Sequence, residues 1–568
     1  MNRAPRGAHS LLVGLDGGDL ALIERLGARR LPNLFAAMER GAWAAMRVLQ
    51  PPATLPNWTT LLTALGPGEH GVFDFTTRSD YRVRFTGGSV RAAPTFAARL
   101  DALGKRCACL FFPATYPPER LRHGAFISGW DSPVAFSADG SFVWPPSLHA
   151  ELEARFGPHR FDDVDEFAAD SPHWHAALPD ALIARIERRA ELAVQLLSRQ
   201  RWDLFAVYFG ESDTASHHLW SLFDVDSPRH PRGTGPFLRE ALPRVYEALD
   251  RALGRLLEAA GGDGVELTVA SDHGFGGASD KVLYLNNALE AAGVLRHQRA
   301  GARAELLSGL KHTALRRLPP RLREEIFRAA GSWLPSWLES RVRFGSIDME
   351  HTLAFSDELN YFPAIHYNLR GRESRGQLVS TERARLRERI EGVLGDLRDP
   401  DTGRPVLRAL HAREELYAGT FVERAPDLIV ELELDRGYSY NVMPSASAAE
   451  YGPASAIFGR IPPAEYLGRK GRSLAGSHRS RGLFVAAGPQ VESMGRIEAS
   501  VEDAAVTVLA RLGVAPPSGS RGRRLTLGAA LATAELVAPE VEPRVAAARD
   551  SAGEASVAAR LRALGYIE

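Results

Sequence analysis

The sequence predicts an α/β fold in which a mostly parallel central sheet carries helices on both faces and is broken by one helical insertion. Two observations lead there. Short apolar runs of strand length alternate with long stretches of helical periodicity along most of the chain. Polar residues capable of chemistry stand just beyond the C-terminal ends of several of those runs, at the edge where open α/β sheets bind ligands.

The first apolar run, 11–15, leads through Gly17 and Gly18 into a helical stretch over 19–30 and a second helix over 32–40. A helix over 93–103 then precedes a strand over 106–112, and a long helical pattern over 179–197 precedes a strand over 203–209. The pattern 236–260 leads to a strand over 265–270, and further strands are expected at 427–432 and 482–487, with a late helix over 501–512. Strands alternating with helices in this way favour a parallel sheet covered on both faces. Two regions break the alternation. Residues 297–345 are rich in Arg and Leu, contain Gly331-Ser-Trp-Leu-Pro-Ser-Trp-Leu338, and read as a helical insertion. It is either a cap on the core or an aromatic amphipathic face toward substrate or a membrane surface. The tail 529–568 is rich in Ala, Glu and Val, with a last helix near 555–564 and no evident chemistry. The expected organisation is one catalytic domain over 8–528 followed by that tail.

Composition narrows the function classes. The 568 residues are 45% hydrophobic and 24% charged, ordinary for a soluble globular protein. Lys+Arg and Asp+Glu both number 69, so net charge offers no footprint for nucleic acid, and none is expected as a partner. The two cysteines, Cys107 and Cys109, lie so close in one extended segment that they are poorly placed to bridge, which excludes a disulfide-stapled fold. The run 11–15 is too short for a signal h-region, and no apolar stretch approaches the roughly 18 residues of a membrane span, so a cytoplasmic location is expected.

Candidate ligands for cations fall at the strand ends. In Ser212-Asp-Thr-Ala-Ser-His-His218, Asp213 and His217 are four apart, a spacing that puts both on one helix face; His218 is the adjacent competitor. In Ser271-Asp-His-Gly-Phe-Gly276, adjacent Asp272 and His273 can share an ion only on an irregular turn, which Gly274 and Gly276 would permit. Asp16 ends the first strand, where an Asp-Gly pair also serves as a plain turn. His478, in Ala475-Gly-Ser-His-Arg-Ser480, falls in an expected small-residue loop. Together they supply three Asp and three His, enough for two divalent ions in mixed N/O sites.

Thr54 is the candidate nucleophile. It lies in Pro51-Pro-Ala-Thr-Leu-Pro-Asn-Trp-Thr-Thr60, at or just ahead of a helix that Pro56 helps to start. Backbone N–H groups and the helix dipole there favour a phosphate, although by position alone a simple N-cap accounts for the residue. A threonine hydroxyl needs a base or a metal before it attacks.

These segments, taken in order, resemble the type I phosphodiesterase/nucleotide pyrophosphatase branch of the alkaline phosphatase superfamily. The matching stretches are Asp16-Gly17, Thr54-Leu-Pro-Asn-Trp58 with His70-Gly71 downstream, Asp213-x-x-x-His217, Asp272-His273-Gly274 and Gly476-Ser-His478, spanning roughly 10–490. The resemblance implies an alkaline-phosphatase-like core and a metal-dependent phosphoester hydrolase for a small-molecule substrate. It also implies one ion on Asp213, His217 and His478, and a second on Asp16, Asp272 and His273 with the Thr54 oxygen. Zn²⁺ is the first expectation and Mn²⁺ the alternative. Thr54 would form a covalent phospho-threonine intermediate, and Asn57 would donate to a phosphoryl oxygen. Three features depart from the family pattern: Trp58 stands where His is common, Arg479 stands where Gly is frequent, and the insertion matches no known pocket. Asn368-Leu-Arg-Gly-Arg-Glu373 and Ala425-Pro-Asp-Leu428 resemble parts of bacterial members without an assigned role. A sulfatase would need a Cys/Ser-x-Pro-x-Arg context, which neither cysteine has. A phosphotransferase or phosphomonoesterase on the same fold, and a non-catalytic binding protein, are the alternatives.

Overall fold

The computed structural model describes residues 7–86, 88–129, 140–157, 172–298, 343–358, 362–469, 473–529 and 535–541. Eleven strands matter for the site: β1 (Gly7–Leu15), β2 (Ala42–Arg47), β3 (Cys107–Leu110), β4 (Ala125–Ile127), β5 (Val143–Trp144), β6 (Arg201–Phe209), β7 (Glu266–Ala270), β8 (Gly274–Leu283), β9 (Gly476–Arg479), β10 (Arg481–Ala487) and β11 (Gly495–Arg496). Nine of them form one sheet in the order β11-β2-β10-β7-β1-β6-β3-β4-β5.

The central strands β7, β1, β6, β3 and β4 are mutually parallel. β10 runs antiparallel between β7 and β2. β1 is buried along nearly its whole length, as a strand covered on both faces must be. The covering helices include α1 (Leu20–Leu26), α2 (Pro32–Arg40), α3 (Thr54–Thr63), α4 (Pro172–Leu197), α5 (Glu211–Phe223), α6 (Ala241–Ala260) and α7 (Val501–Arg511). α2 has the expected bounds, with Pro32 at its start.

Other elements depart from expectation in ways with clear causes. The helix expected over 19–30 stops at Leu26, where Gly27 takes a positive φ of 76°, and Asp19 is its cap rather than its first turn. The pattern 236–260 splits at Glu240 into Pro236–Arg239 and α6. The strand Leu428–Leu432 lies outside the main sheet. It belongs to an antiparallel four-stranded sheet with Ala354–Ser356, Ala364–Tyr367 and Leu407–Ala412, which has its own small core of residues such as Leu285, Phe355, Ile365 and Ile390.

Nearly all of the predicted insertion, 299–342, and the predicted helix near 555–564 lie outside the described residues. Among the described tail residues, Val537 makes a bridge to Val514. Cys107 and Cys109 are buried free thiols. No helix among the described residues is long and apolar enough to cross a membrane.

Candidate active site

The parallel register brings the C-terminal ends of β7, β1 and β6 side by side, pairing Gly14 with Ala270 and Leu15 with Phe209. Each strand hands its chain to a candidate ligand: β1 to Asp16, β7 to Asp272 and His273, and β6 to α5, which carries Asp213 and His217. The Asp16 amide donates to Phe209 O at 2.9 Å, locking two of these ends together.

His478 arrives differently from the loop expected. It sits on β9, which pairs antiparallel with β8 so that His478 faces Phe275. Nor does the chain turn at Gly274 and Gly276 as expected: both lie in β8. Glycine is needed at Gly274 for close approach, since a Cβ there would meet Arg481 O at 1.9 Å, whereas a Cβ on Gly276 would meet only the movable Arg479 guanidinium, at 2.6 Å. Arg479 itself donates to the carbonyls of Gly277 and Gly437, each at 3.0 Å, bracing this small sheet.

The six Asp and His candidates converge in two groups, Asp213–His217–His478 and Asp16–Asp272–His273, all buried, with the donor atoms within each group no more than 4.8 Å apart. The orientation of the histidines is informative. Nδ1 of His217, His273 and His478 lies 3.0 Å from the carbonyl oxygens of Gly476, Gly274 and Pro52 respectively. A carbonyl only accepts, so each Nδ1 carries the proton and the neutral ring turns its Nε2 lone pair into the centre. There His217 Nε2 and His478 Nε2 stand 3.0 Å apart, at 3.4 and 3.3 Å from Asp213 Oδ1.

The second group repeats the pattern. Asp272 Oδ1 accepts from the Gly17 amide at 3.2 Å, and its Oδ2 lies 3.2 Å from His273 Nε2. Asp16 Oδ1 lies 3.3 Å from the same nitrogen. Neither Asp16 Oδ1 nor Asp272 Oδ2 accepts a hydrogen bond from any described residue. The groups adjoin, with His273 Nε2 3.9 Å from Asp213 Oδ1.

Buried carboxylates and inward lone pairs at such spacing repel one another unless a cation lies between them. Titration reflects the crowding. Burial, reinforced by Asp16, pushes the Asp272 carboxyl well up. Burial, with His273 alongside, lowers His478 to about 3. The donor set therefore fits divalent ions with mixed N/O ligands.

Thr54 is the first residue of α3. Ala53 occupies the N-cap, and no side chain caps the helix, so the Thr54 hydroxyl is not tied up as an N-cap. It lies instead 3.3 Å from His273 Nε2, where the two groups meet, and is 1% exposed. Asn57 is also at this end of α3. Its Nδ2 donates to Ala53 O and its Oδ1 accepts from the Leu49 amide, each at 2.9 Å. His218, the competitor to His217, packs edge-on against Trp174 at 4.8 Å. His70 contacts Thr60 Oγ1 at 3.1 Å, which places it in the packing of α3.

Several contributing residues carry no local signal in the sequence. Ser271 Oγ donates toward Gly18 O and His273 O and accepts from the Leu483 amide. Ser212 Oγ donates to Asp16 O at 2.6 Å. Asp19 caps α1 with one oxygen and accepts from the Phe275 amide with the other. Position next to a candidate ligand is the one clue that could have marked Ser212 and Ser271.

A family model described as type I phosphodiesterase / nucleotide pyrophosphatase matches residues 10–450. No curated protein matches the chain significantly. Among solved structures, human ectonucleotide pyrophosphatase/phosphodiesterase 5 is 13% identical, with 90% of this chain and 96% of that one covered and a TM-score of 0.47. The murine protein of the same name is 12% identical over the same shares, with a TM-score of 0.46. An inactive murine variant in complex with AMP is 11% identical, again over 90% and 96%, with a TM-score of 0.47.

Proposed function

The chain belongs to the type I phosphodiesterase/nucleotide pyrophosphatase family of metal-dependent hydrolases acting on phosphoester bonds, and on that premise we propose that it cleaves a small-molecule phosphodiester through a covalent threonine ester. The observation that carries this reading is the placement of Thr54 Oγ1, 3.3 Å from His273 Nε2 at the junction of the two ligand groups. We assign one ion to Asp213, His217 and His478, and a second to Asp16, Asp272 and His273 with the Thr54 oxygen. Zn²⁺ is preferred and Mn²⁺ is the alternative. When bound, such ions polarise the phosphoryl group and lower the pKa of an attached hydroxyl or water.

The chain's own residues supply the rest. Thr54 Oγ releases its proton to solvent and forms a bond to phosphorus as the bond to the leaving-group oxygen breaks, and that oxygen takes up a proton from solvent. Water then attacks the same phosphorus, the Thr54 O–P bond breaks, and the hydroxyl is regenerated. The start of α3 contributes backbone N–H groups and the positive end of its dipole to the phosphoryl oxygens. Asn57 has one amide proton on Ala53 O, and the second is assigned to a phosphoryl oxygen. Residues 8–528 form the catalytic unit in this reading, with 529–568 as an appended tail.

The test is Thr54→Ala against Thr54→Ser, assayed on p-nitrophenyl mono- and diesters, nucleotides and glycerophosphodiesters after Zn²⁺ or Mn²⁺ reconstitution. Thr54→Ala should lose several orders of magnitude in turnover while keeping both ions, and Thr54→Ser should keep partial activity. A merely structural threonine would cost about 1 kcal/mol of stability and leave turnover intact. Near-wild-type turnover in Thr54→Ala removes the proposal.

A further inference from the structure

Four of the six candidate ligands are oriented by backbone: the three histidines by carbonyls and Asp272 by the Gly17 amide. Asp16 is held in another way. Its Oδ2 accepts from the Tyr208 hydroxyl and from Trp58 Nε1, the latter at 3.2 Å, while its Oδ1 faces His273 Nε2. The donors are themselves immobilised. Trp58 and Tyr208 meet edge to face at 5.4 Å, and Phe112 closes the triangle at 5.3 and 5.7 Å. Trp58 reaches this position across Gly14 of β1, where a Cβ would lie 2.8 Å from the indole. All three rings are at most 3% exposed.

We infer that Tyr208 and Trp58 are positioning residues for Asp16, dividing its two oxygens so that one is satisfied by the aromatic pair and the other is presented to the cation. The inference rests on the two-ion reading above. Both donors are neutral, so they fix the carboxylate without cancelling the charge a cation requires. With Oδ2 engaged twice, Asp16 offers a single oxygen, and its side chain stays rigid in a dry aromatic wall. An indole N–H can only donate, so the direction of this contact is fixed.

The experiment removes each donor and keeps each ring: Tyr208→Phe and Trp58→Phe, with Phe112→Leu disturbing the same aromatic cluster without deleting a donor. Metal-stripped full-length protein is titrated with Zn²⁺ against a chromogenic chelator, and the two binding constants are read directly. Wild type should take two ions. Tyr208→Phe should weaken one of them by about 10–100-fold, the usual effect of losing an outer partner of a ligand, and leave the other unchanged. Trp58→Phe should weaken the same ion by less, its contact being longer, and Phe112→Leu, which keeps both donors, should weaken it by clearly less than Tyr208→Phe.

Wild-type constants in Tyr208→Phe, an equal loss at both ions, or the same loss in Phe112→Leu would each overturn the positioning role. Fewer than two ions in the wild type would instead overturn the two-ion reading, and the positioning role with it.

Discussion

Replacing Asn57 with alanine tests two roles of one buried side chain. The amide ties together two points of the preceding backbone, donating to Ala53 O and accepting from Leu49 N at 2.9 Å each, and the residue is fully buried. Each bond contributes about 1 kcal/mol net, and a buried amide left unpaired costs roughly 1–3 kcal/mol more. Asn57→Ala should therefore destabilise the fold by about 3–5 kcal/mol. The segment it clamps includes Pro52, whose carbonyl orients His478, so misplacement there also reaches the centre. If the second amide proton serves a phosphoryl oxygen, turnover in the folded fraction should drop about 10²–10³-fold. Asn57→Asp separates the two roles. It keeps the acceptor for Leu49 N and should recover part of the stability, but it cannot donate and it repels the phosphoryl group, so turnover should stay low. Unfolding midpoints and steady-state rates on the same preparations decide it. A wild-type midpoint in Asn57→Ala would refute the clamp, and a turnover loss under about tenfold would refute the donor.

Two further outcomes follow from the structure. Burial raises Asp74 from 3.8 to about 7, so between those pH values the native state holds a proton that the unfolded chain has released, and stability falls as pH rises. Asp74→Asn keeps the acceptor for Phe75 N and should gain more in melting temperature at about pH 8 than at about pH 5; an equal gain at both would contradict the assignment. Asp213→Ala should lose an ion and nearly all turnover, whereas His218→Ala should keep both ions and lose only stability, because its ring packs against Trp174. Elemental analysis of both variants would expose the wrong choice of histidine if His218→Ala were the one to lose metal.

The strands of the parallel core and the residues following them were legible in the sequence because both signals are local: an apolar run, then a polar residue at its end. Asp16, Asp213 and Asp272 follow β1, β6 and β7 in this way. What stayed hidden depends on partners distant in the chain. The glycines of β8 argue for a turn rather than a strand, and the approach of the Arg481 carbonyl to Gly274 explains the one that a Cβ would exclude. His478 falls in an expected loop because a four-residue strand has no periodicity to read. The second sheet was missed for the same reason, since its strands are short and far apart. The contact of Tyr208 with Asp16 spans 192 residues, and nothing near Tyr208 announces it.

The strand order also bears on synthesis. β10, made from residues 481–487, fills the gap between β2 and β7, and β11, the other neighbour of β2, comes later still. A nascent chain emerging from the ribosome therefore completes β2 early and holds it without either neighbour in this sheet until residues 481–487 have been made. β7 meanwhile has only β1 beside it, its other edge open where β10 will insert. Unpaired edges are templates for pairing with other chains. The seam that closes last is also the one that delivers His478, so premature termination before residue 476 leaves a chain with an open sheet and an incomplete centre. Translation would have to pass residue 487 before both open edges of this sheet are paired and His478 stands in the centre.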